Sequence, residues 1–402
     1  MARALVEHVF ADHPTKRLAV RLWDGTEVSW GSRPDFTLVF RDRTTFGSLI
    51  ASRDPSAFAQ AYIDERLDIE GDLDAAAGLA TYLRAVRLAP LGHLGHPLRR
   101  AAARLRSHAD DARDVRAHYD LSDDFFRLFL DERMVYSCAY FAHGEQPLGE
   151  AQERKLDLVC KKLHLRPGDA FLDVGCGWGA LVLWAAEHYG VRARGITLSP
   201  RQAETARERV ARAGLSTQVT IEERDYADLP AAAFDKIASV GMIEHVGIAH
   251  YDRYFAALDR ALRPGGLLLN HGITQPPGTP EHSGGDFVLR CVFPGAEIDV
   301  LSHTLTVMEK RGFEILDVQS LRPHYALTLR EWGRRYAARR DEAARIVSRR
   351  VLRTWDLYLP GCRRAFEEDI VSVHQILAAK PAANGAWRAP LAREETMLPA
   401  PA

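Results

Sequence analysis

The sequence predicts an α/β protein: a doubly wound, mostly parallel sheet preceded by a small α+β domain. Three observations predict it. From about residue 115 onward, apolar strands alternate with helical segments, the pattern of a parallel sheet covered on both faces. The first of those strands runs into a G-x-G-x-G turn and then a helix, LDVGCGWGAL over residues 172–181. Ahead of them, residues 18–50 alternate apolar and polar positions with turn signals between, which reads as short antiparallel strands.

The elements follow in order. LAVRLWDG, TEVSWGSRPD and FTLVFRDR are the early strands; SAFAQAYIDE is helical, LDIEG a strand, and a helix runs from Asp74 to about Val86. These form a domain over residues 1–90. Residues 91–115 place Gly and Pro before Arg99, Arg100, Arg104 and Arg106, a linker whose basic helical face suits either solvent or anionic lipid headgroups. Residues 116–380 carry the strands AFLDVGCG, ARGITL, VTIEERD, FDKIASVG, GGLLLNHG and FEILDVQSL. The Pro/Ala-rich tail, 381–402, has the composition of a disordered segment.

Bulk properties narrow the class. A chain of 402 residues is long for one core, and its net charge of −1 names no partner. No apolar run approaches the roughly 20 residues that span a bilayer, and the N-terminus lacks a signal-peptide pattern, so a cytoplasmic protein is expected. The five cysteines form neither CxxC nor a Cys/His cluster, which points to reduced buried thiols and away from zinc or a disulfide framework.

The glycine loop is informative in its details. Gly175, Gly177 and Gly179 let a ligand approach the backbone, while Asp173 in the strand before them suits an ammonium better than a pyrophosphate. No Gly-Lys-Ser/Thr follows to grip a triphosphate. The next strand ends in GITLSPRQ without an acidic tip, leaving Thr197, Leu198 and Gln202 to line that region. The pattern resembles a class I S-adenosylmethionine-dependent methyltransferase, Rossmann-like with a mostly parallel seven-stranded sheet. On that resemblance Asp225 and Tyr226 flank the adenine.

A narrower resemblance covers residues 115–380. HYDLSDDFFRLFLDERMVYSCAYF, LDLVCKKLHLRPGDAFLDVGCGWG, GITLSPRQ, GMIEHVG, LRPGGLLLNHGIT and LRPHYALTLREW are similar to the cyclopropane-fatty-acyl-phospholipid synthases and mycolic acid cyclopropane synthases. The N-terminal domain resembles the extra domain of the full-length bacterial phospholipid enzymes. The resemblance implies S-adenosyl-L-methionine as co-substrate and an unsaturated membrane phospholipid as substrate. It also implies a bound bicarbonate as base, a homodimer, and peripheral association with the inner face of the cell membrane. Its catalytic positions fall on Cys138, Glu244, His271, Ile273 and Tyr325, and Tyr136 and Ser137 match cofactor contacts.

The chemistry explains these residue types. Bicarbonate has acceptor oxygens and a donor hydroxyl, so its cage needs both kinds of partner. Glu244 accepts from the hydroxyl, His271 and the Tyr325 phenol donate to the anionic oxygens, and backbone at Cys138 and Ile273 completes the shell. Fixed dipoles in a water-poor pocket then stabilise the neighbouring cation. Plainer readings stand beside this one. Glu244 suits a helix cap, His245 a structural role, and Phe125, Phe126, Phe129, Tyr140 and Phe141 an ordinary core as well as an acyl tunnel. Cys138 lacks a base that would make it a nucleophile. The nine basic residues of 330–353 suit a lipid-facing surface or a solvated helix face.

The chain departs from its relatives at Gly272, usually Thr; at Cys291, Glu297 and Asp299 in a normally more apolar loop; and at His374, often Trp. These changes bear on substrate shape. In the same family the cation also yields methylene-branched chains (10-methylene type), and Gly241, where such relatives tend to carry an acid, favours the ring. The absence of an Asn/Asp-Pro-Pro-aromatic motif after the fourth strand argues against a nucleic-acid substrate.

Overall fold

The computed structural model describes residues 2–11, 13, 17–52, 54–86, 121–279, 287–288 and 291–382. The 91–115 linker, the start of the HYDLSDD motif and nearly all of the 381–402 tail lie outside the described residues.

In the N-terminal part, α1 (Ala2–Phe10), β1 (Leu18–Arg21), β2 (Glu27–Ser29), β3 (Phe36–Phe40), α2 (Arg43–Ser52), α3 (Pro55–Ile63), β4 (Leu67–Gly71), α4 (Leu73–Ala77) and α5 (Leu79–Val86) surround one apolar core. The sheet order is β2-β1-β3-β4. Antiparallel pairing, expected throughout, is found for β1–β2 and β3–β4, whereas β1 and β3 are parallel. The cause is geometric: β2 folds back on one edge of β1, and the strand that then takes the opposite edge runs in β1's own direction. FTLVFRDR is a strand only to Phe40, because Asp42 accepts the Thr45 amide at 2.7 Å and starts α2. The single helix expected from Asp74 is two, divided at Gly78.

The larger part contains α6 (Asp123–Phe126), α7 (Leu148–Lys162), β5 (Ala170–Val174), α8 (Ala180–Tyr189), β6 (Arg192–Thr197), α9 (Pro200–Arg212), β7 (Val219–Glu223), β8 (Phe234–Val240) and α10 (Ile243–Val246). It continues with α11 (Tyr251–Ala261), β9 (Leu262–Gln275), β10 (Asp299–Val300), α12 (Leu301–Lys310), β11 (Glu314–Ser320), α13 (Arg322–Ala338), α14 (Arg340–Ile346), α15 (Arg349–Glu367) and β12 (Ser372–Ala379). The strand order is β11-β12-β9-β8-β5-β6-β7, with β10 on β9. This is the Rossmann-like sheet of class I methyltransferases: β5 to β9 pair in parallel, and β12 inserts antiparallel between β9 and β11. Helices α7, α8 and α9 bury Val159, Val182 and Ala206 on one face, and α11 and α12 bury Phe255, Leu258 and Met308 on the other.

A third cluster, Phe125, Phe126, Phe129, Trp332, Trp355 and Tyr358, lies where α6, α13 and α15 meet. Helix α15 also joins the two parts. Its Arg353 donates to the Tyr62 carbonyl at 2.6 Å and the Leu67 carbonyl at 2.9 Å, and stacks over the Tyr62 ring. Its buried Asp356 accepts from Tyr62, Tyr336 and, through both oxygens, Arg340. Arg349 and Arg350 reach Glu65 and Asp64, while Arg334 and Arg339 pair with Glu331 and Glu342. Within the basic stretch 330–353, Arg340 and Arg353 reach buried partners and Arg349 and Arg350 pair across the junction between the two parts, while Arg334, Arg339, Arg345, Arg349 and Arg350 remain exposed.

Candidate active site

The strand order reverses at β5 and β8, so the loops at their carboxyl ends diverge and leave a crevice. A cavity of about 990 Å³, open solvent at its mouth included, occupies it. The glycine loop forms its floor with positive φ at Gly175, Gly177 and Gly179, and the amides of Gly175 and Cys176 both donate to the Ile196 carbonyl on β6. Side chains larger than hydrogen are strained in that conformation, which accounts for the spacing.

Tyr136, Ser137, Asp173, Gly175, Gly177, Thr197, Leu198, Gln202 and Tyr226 all line this one cavity. Thr197 donates to the Gln202 side chain at 2.9 Å, which fixes both at the end of β6. Asp225 does not line it; its carboxylate accepts the Ala227 amide at 2.8 Å and caps a short turn. Asp173 is buried with Oδ1 unpartnered among the described residues, and burial pushes its carboxyl up to about 7 against the opposing charge of Lys155. A glycine cradle with an unpartnered buried carboxylate above it fits a sulfonium cofactor bearing an ammonium group.

The five positions expected to be catalytic do not themselves line this cavity; Cys138 and Glu244 adjoin its lining residues Ser137 and His245 along the chain. β8 ends opposite His271, and β10 begins opposite Thr274, so one edge of β9 has no strand partner in between. Glu244 fills that gap: one carboxylate oxygen accepts the Ile273 amide at 2.6 Å, and the other has no partner among the described residues. It does not cap α11. Burial pushes its carboxyl up to about 7, against the pull of the Ile273 amide. Gly272 makes this approach possible, since a Cβ there would lie 2.4 Å from an Ile243 methyl.

His271 is neutral, its imidazolium pushed down to about 3 first by burial and then by Lys155 and Lys162. The Gln375 amide nitrogen faces Nδ1 at 3.2 Å, which makes Nδ1 the acceptor and leaves the proton on Nε2. Nε2 is itself unpartnered. Tyr325 packs its ring on Phe366, its phenol is raised well above its ordinary value by burial, and its hydroxyl has no hydrogen-bond partner among the described residues. Burial raises the Cys138 thiol far above neutrality, so it is no nucleophile. Three polar atoms thus await a partner: an acceptor on Glu244 and donors on His271 and Tyr325. That is the donor set a bicarbonate ion needs.

Several cavity residues escape a reading of the sequence, among them Lys155, Trp178 and Met242. Lys155 left one visible signal: it falls with Gln152, Leu156 and Val159 on the buried face of an amphipathic helix. His245, expected to be structural, lines the cavity, and burial pushes it down to about 4.

Comparison with known proteins places this geometry in context. Residues 106–376 match the family described as mycolic acid cyclopropane synthetase, and residues 5–80 match a domain of unknown function. A probable fatty acid methyltransferase from Pseudomonas putida is 40% identical over 94% of this chain and 95% of its own length. Cyclopropane mycolic acid synthase 1 from Mycobacterium tuberculosis is 38% identical over 66% of this chain and 96% of its own. The structure of the Mycobacterium tuberculosis cyclopropane synthase MmaA2 superposes with a TM-score of 0.63 at 36% identity, covering 69% of this chain and 99% of that one. Mycolic acid cyclopropane synthase CmaA1, complexed with SAH and CTAB, gives 0.64 at 37% identity, with coverage of 69% and 99%.

Proposed function

The chain belongs to the mycolic acid cyclopropane synthetase family, and on that footing we propose that it cyclopropanates the cis double bond of unsaturated acyl chains in phospholipids. It is an S-adenosylmethionine-dependent methyltransferase of fatty acyl chains. When bound, the sulfonium cofactor supplies a methyl group and bicarbonate the base that takes a proton from it, so the alkene gains one CH₂. Glu244, His271 and Tyr325 hold the base; the glycine loop, Thr197 and Gln202 hold the cofactor. Tyr136, which lines the cavity and is backed by Phe126 and Trp332 at ring-centroid distances of 5.3 and 5.1 Å, helps exclude water from the reacting groups.

The observation that carries this reading is the half-satisfied Glu244 carboxylate in the gap of β9. A buried carboxylate with one oxygen anchored and one vacant is costly unless a hydroxyl donor completes it. Ring closure also suits Gly241, which lines the cavity without a side chain able to take a proton from a neighbouring carbon. A second reading, a methylene-branched product from the same cation, is equally compatible with the Pseudomonas putida relative, a probable fatty acid methyltransferase.

Mass spectrometry of fatty acids distinguishes them. Purified protein is incubated with S-adenosylmethionine, bicarbonate and vesicles of cis-unsaturated phospholipid. A gain of one CH₂ with loss of the alkene supports the ring; the same gain with an alkene retained replaces it with the branched product; no gain overturns the phospholipid substrate.

A further inference from the structure

Helix α10 stops after a single turn. Gly247 follows it with φ +79° and ψ 134°, a conformation that favours glycine, and a Cβ there would lie 3.5 Å from a carboxylate oxygen of Glu297. The break removes the next rung of the helix, in which the Ile248 amide would donate to the Glu244 carbonyl. One residue satisfies both groups instead. The Glu297 amide donates to the Glu244 carbonyl at 2.9 Å, and the Glu297 carboxylate accepts the Ile248 amide at 2.7 Å. Glu297 is half-buried and leads into β10, which pairs with β9 from Thr274, one residue beyond Ile273. The backbone of Glu244 is thus tied to the chain that enters β10, and its side chain to the Ile273 amide in the gap before it.

We propose that Glu297 is a positioning residue for the anion site: by bridging the missing rung it fixes how the Glu244 carboxylate enters the gap in β9. The role rests on Glu244 holding the base, as in the reading above. Reach decides which side chains can fill it. A carboxylate on a two-carbon stem spans from the Glu297 backbone, anchored at Glu244, to the Ile248 amide. A shorter or an apolar side chain leaves that amide unpaired and the turn at Gly247 free to shift, and with it the carboxylate one turn earlier. A vacant Glu244 oxygen must meet its ligand within a few tenths of an ångström, so small displacements weaken the site while the fold persists.

The test follows turnover of the full chain against bicarbonate concentration, with affinity for S-adenosylhomocysteine as the control. Glu297→Leu is expected to lower kcat/KM for bicarbonate by about 10- to 100-fold, the range for a lost charge-assisted hydrogen bond, and to leave S-adenosylhomocysteine affinity within about 2-fold. Glu297→Gln keeps an acceptor for the Ile248 amide and is expected to return to within about 5-fold of the wild type. Glu297→Asp, one carbon short of the amide, should fall as far as Glu297→Leu, and serves if that variant does not fold. Glu297→Gln as poor as Glu297→Leu would mean that the negative charge acts and not the bridge, which overturns the proposal. A matching loss of S-adenosylhomocysteine affinity would make Glu297 a prop for the whole 241–248 segment and overturn it too, as would unchanged bicarbonate kinetics in all three variants. A wild type that turns over without responding to bicarbonate instead overturns the base reading, and with it the role given to Glu297.

Discussion

Glu244 sits at a position where ordinary carboxylate behaviour would be useless. Held up to about 7 by burial, it gains its charge only as pH rises through that value. If the ionised form holds the anion, turnover falls as pH drops below about 7. Glu244→Gln is expected to lose about 100-fold or more of kcat while retaining cofactor binding, and to abolish that pH limb. Kinetics from pH 5.5 to 8.5 test it; wild-type turnover in the variant removes Glu244 from the mechanism. The same shift affects stability with the opposite sign. A folded-state value above the unfolded one means that this group's contribution to stability is complete below the ordinary carboxylate range and is lost as pH rises from that range to about 7. Gly272 is coupled to this residue through Ile243. Restoring Thr at Gly272 pushes on that methyl, so Gly272→Thr should cost activity through overpacking, and Ile243→Ala should recover part of it. Additive losses in the double variant would refute the coupling.

At the scale of elements, strands with apolar runs and glycine punctuation were legible, and so were the loops between them. AFLDV and FDKIASV are buried and read as strands at once. SVHQILAA has the same character, but no turn signal or motif set it apart, and it forms β12, the strand carrying Gln375. Asp173, Gly175 and Gly177 were legible because their spacing is local to one strand and turn. Gln375 was not, because its role exists only through the antiparallel register that sets it opposite His271. That register makes a specific prediction. Gln375→Glu replaces a donor with an acceptor, draws the imidazole proton to Nδ1 and turns Nε2 from donor to acceptor. Turnover should fall further than in Gln375→Leu, which removes the partner without reversing its polarity. Equal losses would show that Gln375 acts only by packing.

Over the whole molecule, α15 is the element on which both parts depend. Its Trp355 and Tyr358 belong to the aromatic cluster, its Asp356 engages Tyr62 of α3, and its Arg353 engages Tyr62 and Leu67 of β4. Arg353→Ala removes the buried guanidinium's hydrogen bonds to the Tyr62 and Leu67 carbonyls and its pairing with Asp68, and should cost about 2–5 kcal/mol, seen as a melting point lower by several degrees. A melting point unchanged within a degree would mean the junction is held elsewhere. The helix also contains Pro360, whose missing amide interrupts the hydrogen-bond ladder in a way that usually weakens a helix by about 3 kcal/mol. An isolated helix with that break would fray from its middle. Clamped on both flanks, it has no independent opening: its central amides should exchange with deuterium no faster than those of β9, through global unfolding alone.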